Sequence, residues 1–446
     1  MNKLHSSLYP YQKEDVLWLE QHPRCILGSD MGVGKTFETL ALAAKLDLTS
    51  VLVICPKPLI DEWEYQIEHW LGKAWIDRFV VFNYEKLRRL DFVNKLNEYH
   101  WDLIVFDECH KLKNFKTKQT RGATLITNNG SRALLISGTP MQNGPQDLFS
   151  LLRIVDRAQY TSYWDFVSRY CIVQQLPRPP FPRIIVGTRN KEELREKLHS
   201  VMLRRTKAEV LPQLPPRIYR TVPIHLEGRQ LEQYKQMEDQ LFVLLDSGEK
   251  ITAPAVIAQL IRLRQICLEP NLLSEHEKVS SPSTKTQLIL ELLEQSDGPV
   301  VIYTYFENYT RILSTELTKA KVSHALYTGK VKSEDRYQVV KDFQAGKYKA
   351  LVGTLTTMSL GLTLTKSHTI IFADLWFNPA ANAQAVDRLH RIGQTEPVQV
   401  IDLWAKKTVE DAMHRTLQRK EKMFSEIVAT EYAIEELRKM REEATK

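Results

Sequence analysis

Asp30-Met31-Gly32-Val33-Gly34-Lys35-Thr36 stands between a short apolar run, Cys25-Ile26-Leu27, and an apolar-periodic stretch from Phe37 to Leu46. Strand, glycine loop and helix in that order are the setting a phosphate-binding loop requires. Glycines let the backbone curl so that its N–H groups face a chain of phosphates. The following helix adds the positive end of its dipole to the same place. Asp30, Met31, Gly32, Val33, Gly34, Lys35 and Thr36 are therefore the candidate nucleotide-binding residues. Lys35 has the length to reach β- and γ-phosphates, and Thr36 has a hydroxyl to offer Mg²⁺. One departure is visible: the position five before Gly34 is Ser29, with Gly28 beside it. The alternative, an ordinary glycine-rich turn, leaves Gly-Lys-Thr at the start of a helix unexplained.

The remaining composition sets bounds. The chain has 446 residues, 43% hydrophobic and 26% charged, which reads as an ordinary soluble globular protein. No apolar run is long enough for a membrane span, and the N-terminus lacks the apolar core of a signal peptide. The five cysteines are scattered without a Cys-x-x-Cys pair, so a zinc site or disulfide framework is not expected and a reducing compartment fits. The net charge of +7 permits a polyanionic partner without requiring one.

Upstream of the loop, Tyr9-Pro10-Tyr11-Gln12 pairs aromatics with Gln12, which can hydrogen-bond an adenine edge; simple packing is the alternative. Downstream, Val51 to Pro56 reads as a buried parallel strand ending at Lys57, at the strand end where α/β sheets bind ligands. Leu103-Ile104-Val105-Phe106 runs into Asp107-Glu108-Cys109-His110. Two carboxylates after an apolar strand are costly unless they hold a metal or do chemistry. Asp107 suits Mg²⁺, and Glu108 suits orienting and deprotonating an attacking water. The next eleven residues, from Lys111 through Lys113 to Arg121, hold five basic residues and no acid, either a phosphate-backbone contact or a solvated face. Leu134-Leu135-Ile136 is a further strand, ending in Ser137-Gly138-Thr139-Pro140-Met141-Gln142-Asn143. Small hydroxyl residues at a strand end suit a loop that senses the γ-phosphate.

These stretches, in this order, resemble the Swi/Snf-type branch of the superfamily-two helicases. The tail Lys111-Leu112-Lys113-Asn114 after the acidic box separates that branch from RNA helicases of the DEAD type. The resemblance extends into the second half, where Gln384-Ala385-Val386-Asp387-Arg388-Leu389-His390-Arg391-Ile392-Gly393-Gln394 has the family's wording. Arg388 and Arg391 are three apart, which places them on one face if the segment is helical; two guanidinia so placed grip a triphosphate as arginine fingers. Strands at Val300–Tyr303, around Tyr327, at Ala350–Gly353 and at Ile370–Asp374 alternate with helical stretches, which predicts a second parallel sheet without a phosphate loop of its own. Ile261 to Pro270 resembles another family segment, with Leu268-Glu269 in place of Asn-His. Met358-Ser359-Leu360-Gly361 departs from a usual Gly-Gly before Leu-Gly, in a loop that in the family touches nucleic acid.

The expected fold is α/β: two RecA-like parallel-sheet lobes with helical insertions on both. The expected boundaries are 1–157 for the ATP-binding lobe, 158–218 for a helical insertion and link, and 219–283 for a helical insertion of lobe two. Residues 284–407 then form the second lobe and 408–446 a C-terminal helix. The aromatics from Tyr160 to Tyr170 read as helical core, residues 176–182 as a proline-rich connection, and residues 280–283 as a linker.

The resemblance implies an ATP- and Mg²⁺-dependent translocase on double-stranded DNA, hydrolysing ATP between its lobes. It assigns catalysis to Lys35, Asp107, Glu108, Gln384, Arg388 and Arg391, and coupling to His110, Thr139 and Asp387. DNA contacts fall to Lys57, Lys111, Lys113, Arg204, Arg205, Thr354 and Ser359, the two arginines being DNA-facing or lobe-bracing, with a solvated basic face as the alternative. The alternatives to translocation are a motor on forked or branched DNA that unwinds or anneals, a slow ATP-gated clamp, and an RNA motor. A minimal core without accessory domains is expected, as a monomer with a protein partner supplying its cargo and with no membrane. A bacterial or viral cytoplasm is expected, or the nucleus in a eukaryote.

Overall fold

A computed structural model describes residues 2–141, 144–175, 183–246, 253–273, 282–331, 333–358, 362–376 and 379–419. Two compact units divide the chain, residues 1–213 and 214–446. Each is an α/β lobe built on a parallel sheet of the RecA-like kind.

The first lobe is assembled from β1 (Arg24–Leu27), β2 (Val51–Cys55), β3 (Phe79–Asn83), β4 (Trp101–Asp107) and β5 (Gly130–Ile136). An antiparallel hairpin follows, β6 (Cys171–Gln175) with β7 (Arg183–Thr188), and then β8 (Met202–Leu203). The sheet order is β3-β2-β4-β5-β1-β8, parallel throughout. Every residue of β2 is buried, because helices cover both faces of a parallel sheet. β1 delivers the chain to the glycine loop, and the helix Lys35–Lys45 leaves it.

The second lobe contains β9 (Arg217–Ile224), β10 (Val300–Thr304), β11 (His324–Tyr327), β12 (Ala350–Thr354), β13 (Thr369–Phe372) and β14 (Val398–Ala405). Their order is β11-β12-β10-β13-β14-β9, again all parallel. One core lies on each face, around Leu313 and Ile289 on one side and around Phe343 and Leu389 on the other. The helices Gly228–Asp246 and Ala253–Leu268 form a satellite core with Ala405, Val409 and Ala412. Beneath it, Lys285 is wholly buried, its Nζ donating to the carbonyls of Ala373 (2.7 Å) and Leu403 (3.0 Å) and to both oxygens of Glu410 (2.7 and 2.8 Å).

Several expectations change. The 158–218 stretch is not wholly helical: it contains the β6–β7 hairpin, and it supplies β8 to the first sheet and the start of β9 to the second. Tyr160, Phe166 and Tyr170 are core as read, but Trp164 is 51% exposed. Ser283 is the N-cap of the helix Thr284–Gln295, accepting from Thr286 N–H, rather than linker. Glu269, where the family has histidine, is buried and accepts from Asn271 and Ser283. Val409 and Met413, at the start of the expected C-terminal helix, are buried. Residues 176–182, 280–281 and 420–446 lie outside the described residues. All five cysteines are buried and unpaired.

Candidate nucleotide site and its flanking surfaces

Gly32 and Gly34 take φ of +80° and +98°, the left-handed region that favours glycine. A side chain at Gly34 would also run into the Gln12 amide. The helix Lys35–Lys45 starts at Gly34 with no side-chain cap, so its first-turn N–H groups are left to an anion. Lys35 Nζ donates to the carbonyls of Ser29 (2.8 Å) and Asp30 (2.9 Å), which places the ammonium within the curl of the loop. Thr36 is half-buried beside it.

Gln12 is placed differently from the adenine-edge reading. It is 2% exposed, its Oε1 accepts from Tyr9 N–H and its Nε2 donates to Val33 O at 3.0 Å. The Tyr11 hydroxyl donates to the same carbonyl at 2.6 Å. Both residues brace the loop from behind. Tyr9, Tyr11, Glu14, Arg204 and Glu209 line an open hollow of about 650 Å³ nearby.

The acidic box sits at the end of β4. Asp107 accepts from Trp63 Nε1–H (2.9 Å) and Glu108 N–H (3.0 Å). Burial, then the neighbouring Glu108, push its carboxyl up to about 6, while the Trp63 bond and Lys35 oppose this. Glu108 takes φ +54°, which costs a residue other than glycine free energy and is found at working sites. Its Oε2 lies 3.2 Å from His110 Nδ1, which is also 3.2 Å from Ser137 Oγ. Ser137 Oγ in turn accepts Thr139 N–H at 3.2 Å. His110 is thus hydrogen-bonded into the Ser-Gly-Thr loop, and the Glu108 carboxylate lies against it at ion-pair distance. Met141 is exposed, and Gln142 and Asn143 lie outside the described residues.

Thr36 and Asp107 are hard oxygen donors, one hydroxyl and one carboxylate. Such a sparse set suits Mg²⁺, which keeps waters and takes its remaining ligands from phosphates. Among the described residues no cluster of three His, Cys, Asp or Glu forms a metal cage.

In the second lobe the helix carrying Gln384 spans Pro379–Val386 and stops there. Arg388 and Arg391 therefore do not share a helix face; they lie in the turn that follows. The turn is held by the loop after Met358: Leu364 N–H donates to Arg388 O (3.0 Å), and Arg391 Nη1 donates to Leu362 O (3.1 Å). Gln384 and Arg388 are each 7% exposed. Asp387 Oδ1 lies 3.7 Å from Arg217 Nη1.

The expected DNA contacts separate into two groups. Lys57, Lys111 and Arg204 are exposed and Lys113 is half-buried. Thr354 is not available as a surface contact: it is 4% exposed and its hydroxyl lies 2.9 Å from that of Thr357. Ser359 lies outside the described residues. Arg205 is also corrected. Its Nε donates to Asp15 Oδ1 at 2.9 Å and its Nη2 to Glu14 at 3.1 Å, and Asp15 is wholly buried. The guanidinium is an internal brace, because a buried carboxylate without it would be uncompensated. Arg205→Ala is expected to cost about 2–3 kcal/mol, less than a fully buried pair because the arginine keeps some water. The slope of DNA affinity against salt should stay unchanged; a fall in that slope without lost stability would reinstate the contact.

Sequence reasoning gave no role to Trp63, Asp15 or Glu38. Glu38 lies beneath the loop, where burial and then Asp15 push its carboxyl up to about 8. Trp63 and Asp15 owe their places to partners distant in sequence, Asp107 and Arg205.

A family model described as the SNF2-related domain matches residues 11–95 and 77–272, and one described as the helicase conserved C-terminal domain matches residues 284–393. The chain belongs to the SNF2-related family. Members of the SNF2-related family are DNA-dependent ATPases. The SWI/SNF-related matrix-associated actin-dependent regulator of chromatin subfamily A-like protein 1 of Drosophila melanogaster is 30% identical, over 95% of this chain and 56% of that protein. Its Caenorhabditis elegans homolog is 30% identical over 93% of this chain and 61% of that one. The human DNA annealing helicase and endonuclease ZRANB3 is 24% identical over 94% and 40%. The chain thus spans about half the length of the curated relatives it matches. A Sulfolobus solfataricus SWI2/SNF2 ATPase core in complex with dsDNA is 28% identical, covers 97% of both chains and has a TM-score of 0.44. The curated relatives named are eukaryotic and lend no support to a bacterial or viral origin. Among the described residues no helix is long and apolar enough to cross a membrane.

Proposed function

We propose that this SNF2-family chain hydrolyses ATP and uses the cycle to move along double-stranded DNA. The observation that carries the reading is the first lobe's joined set: an uncapped helix start at Lys35, and a carboxylate pair whose Glu108 lies 3.2 Å from His110, itself hydrogen-bonded into the Ser137–Thr139 loop. Residues 30–36 hold the phosphates, and Lys35 neutralises them. Thr36 and Asp107 hold Mg²⁺, which when bound neutralises charge on the β- and γ-oxygens. Glu108 orients the attacking water and takes its proton. Gln384, Arg388 and Arg391 act on the same triphosphate from the second lobe, with Asp387 holding their turn to Arg217. His110 and Thr139 pass the state of the γ-phosphate to the loop after β5. The hollow lined by Tyr9 and Tyr11 offers the base a place.

Lys57, Lys111, Lys113 and Arg204 supply phosphate contacts to the duplex, so binding is weakly sequence-specific and weakens with salt. A single copy suffices, and in a eukaryote the place of action is the nucleus. The domain limits that fit this division of labour are 1–213 and 214–446. The annealing-helicase name of the human relative favours a second reading, action at forked or branched DNA.

The test is steady-state ATP hydrolysis at low salt, alone and with single-stranded DNA, duplex DNA, forked DNA or RNA. Strong stimulation by linear duplex is expected. A clear preference for forks would favour the second reading, and stimulation by none of the four would remove the motor.

A further inference from the structure

The segment that joins the lobes is fastened, within each lobe, to the part that carries chemistry. In the first lobe Gly28 N–H donates to Leu203 O (2.8 Å), and Asp30 N–H to Arg205 O (2.8 Å). Arg205 N–H donates to Ser29 Oγ (3.1 Å), and Lys207 N–H to Asp30 Oδ2 (3.0 Å). The phosphate loop therefore carries on the parallel pairing of β1 with β8. It is bonded to the departing chain as far as Asp30, two residues before its first left-handed glycine, Gly32.

In the second lobe the arriving chain meets the arginine turn. His390 Nε2 lies 2.8 Å from Pro215 O, and Val398 N–H donates to Pro216 O at 3.0 Å. A carbonyl can only accept, so Nε2 is the protonated nitrogen. Arg217 then pairs with Asp387, and β9 runs in register with β14 for its whole length. His390 is 5% exposed and sits between the two arginines in sequence.

Between these fastenings the chain is stiff. Leu211-Pro212-Gln213-Leu214-Pro215-Pro216 has three prolines in six residues, each with φ fixed by its ring. Thr206 and Glu209 form a reciprocal cap just before it, and Leu211 is buried.

We infer that residues 203–217 are a strut coupling the phosphate loop to the arginine turn, with His390 the positioning residue at its far end. The inference rests on the proposed ATP hydrolysis and adds a route by which one half of the site constrains the other. The covalent part of the route runs from Arg205 to Pro215, and hydrogen bonds close it at Asp30 and at His390. A movement of the loop is delivered to Arg388 and Arg391 as a pull on Pro215, which a slack linker would absorb. His390 touches neither substrate nor arginine chemistry in this role; it keeps the turn attached to the strut.

The test uses the full chain and four proteins: the parent, one with Gly-Ser-Gly-Ser inserted between the exposed Pro212 and Gln213, and the variants His390→Leu and His390→Gln. Duplex-stimulated hydrolysis gives kcat and KM, and a fluorescent ATP analogue gives nucleotide affinity. The insertion and His390→Leu are expected to lower kcat by about 10²-fold, the cost of an ångström-scale misplacement, with analogue affinity within about twofold of the parent. His390→Gln, whose amide can still donate to Pro215 O, should recover most of the rate. The insertion lies in exposed chain and leaves both lobes intact, so a folding failure of His390→Leu does not remove the test. An active parent with an equally active insertion variant overturns the strut. An active parent with His390→Gln as slow as His390→Leu overturns the role of the histidine bond. A silent parent overturns the proposed function itself.

Discussion

Lys35→Ala lowers the rate of ATP hydrolysis by about 10²–10³-fold or more, the usual cost of removing one preorganised charge partner from a reacting phosphate. It also raises KM, because Lys35 meets the triphosphate in the ground state as well as in the transition state. The lysine now donates to Ser29 and Asp30 carbonyls, so its loss removes two bonds from the loop as well as one charge. Glu108→Gln differs in kind. The amide keeps the size of the carboxylate but cannot take a proton, so hydrolysis falls by about 10²–10⁴-fold while ATP still binds. The pair is measured by steady-state hydrolysis with duplex DNA, beside titration of a fluorescent ATP analogue. Loss of turnover in both, with binding kept only in Glu108→Gln, fits the assignment. Retained turnover in both would remove the phosphate loop and the acidic box from catalysis together.

Lys285→Met is the substitution with the largest expected effect on stability. It strands the Ala373 and Leu403 carbonyls, and among the described residues it leaves the buried Glu410 carboxylate with the Ala405 N–H bond at 2.8 Å. Burial pushes the Glu410 carboxyl up, and Lys285 is the largest influence holding it down. Breaking such a pair costs about 3–5 kcal/mol, because one charge is left without compensation in a dry place. Removing both members, as Lys285→Met with Glu410→Leu, should recover much of that loss, since a well-packed apolar pair is often as stable as the ions it replaces. Denaturant unfolding of the full chain measures both. A single variant with the parent's midpoint would show that Glu410 finds water or another partner, and the buried pair would lose its structural weight.

Where the sequence was readable, long-range burial left a local mark. β2, β10, β12 and β13 are apolar runs because both faces of a parallel sheet are covered, and their positions follow from composition alone. β9 leaves no such mark: Arg217-Ile218-Tyr219-Arg220-Thr221-Val222-Pro223-Ile224 is an edge strand exposed along most of its length. β8 has two residues and no pattern to find. The phosphate loop and acidic box were legible because their chemistry needs fixed residues at fixed spacing. The helical placement of Arg388 and Arg391 failed because the chain tightens into a turn after Val386, where Leu364 N–H bonds the Arg388 carbonyl and Leu362 O the Arg391 side chain. Arg205 was misread as a surface charge because its partner, Asp15, lies 190 positions away. Trp63 was passed over likewise, with Asp107 at a separation of 44. Local pattern carries no information about such pairs.

The five buried thiols bear on how this chain can be handled. Burial pushes Cys25 up to about 12 and Cys171 to about 11, and it raises Cys55, Cys109 and Cys267 as well. Maleimides and disulfide reagents need an accessible thiolate, and the folded chain presents none at neutral pH. A single cysteine placed at an exposed position such as Lys57 or Gln213 is then the one site that takes a dye, with no need to strip the native five. The native chain thus comes as a blank background for fluorescence distance measurements, in which any slow additional labelling is a clock for the opening of its cores.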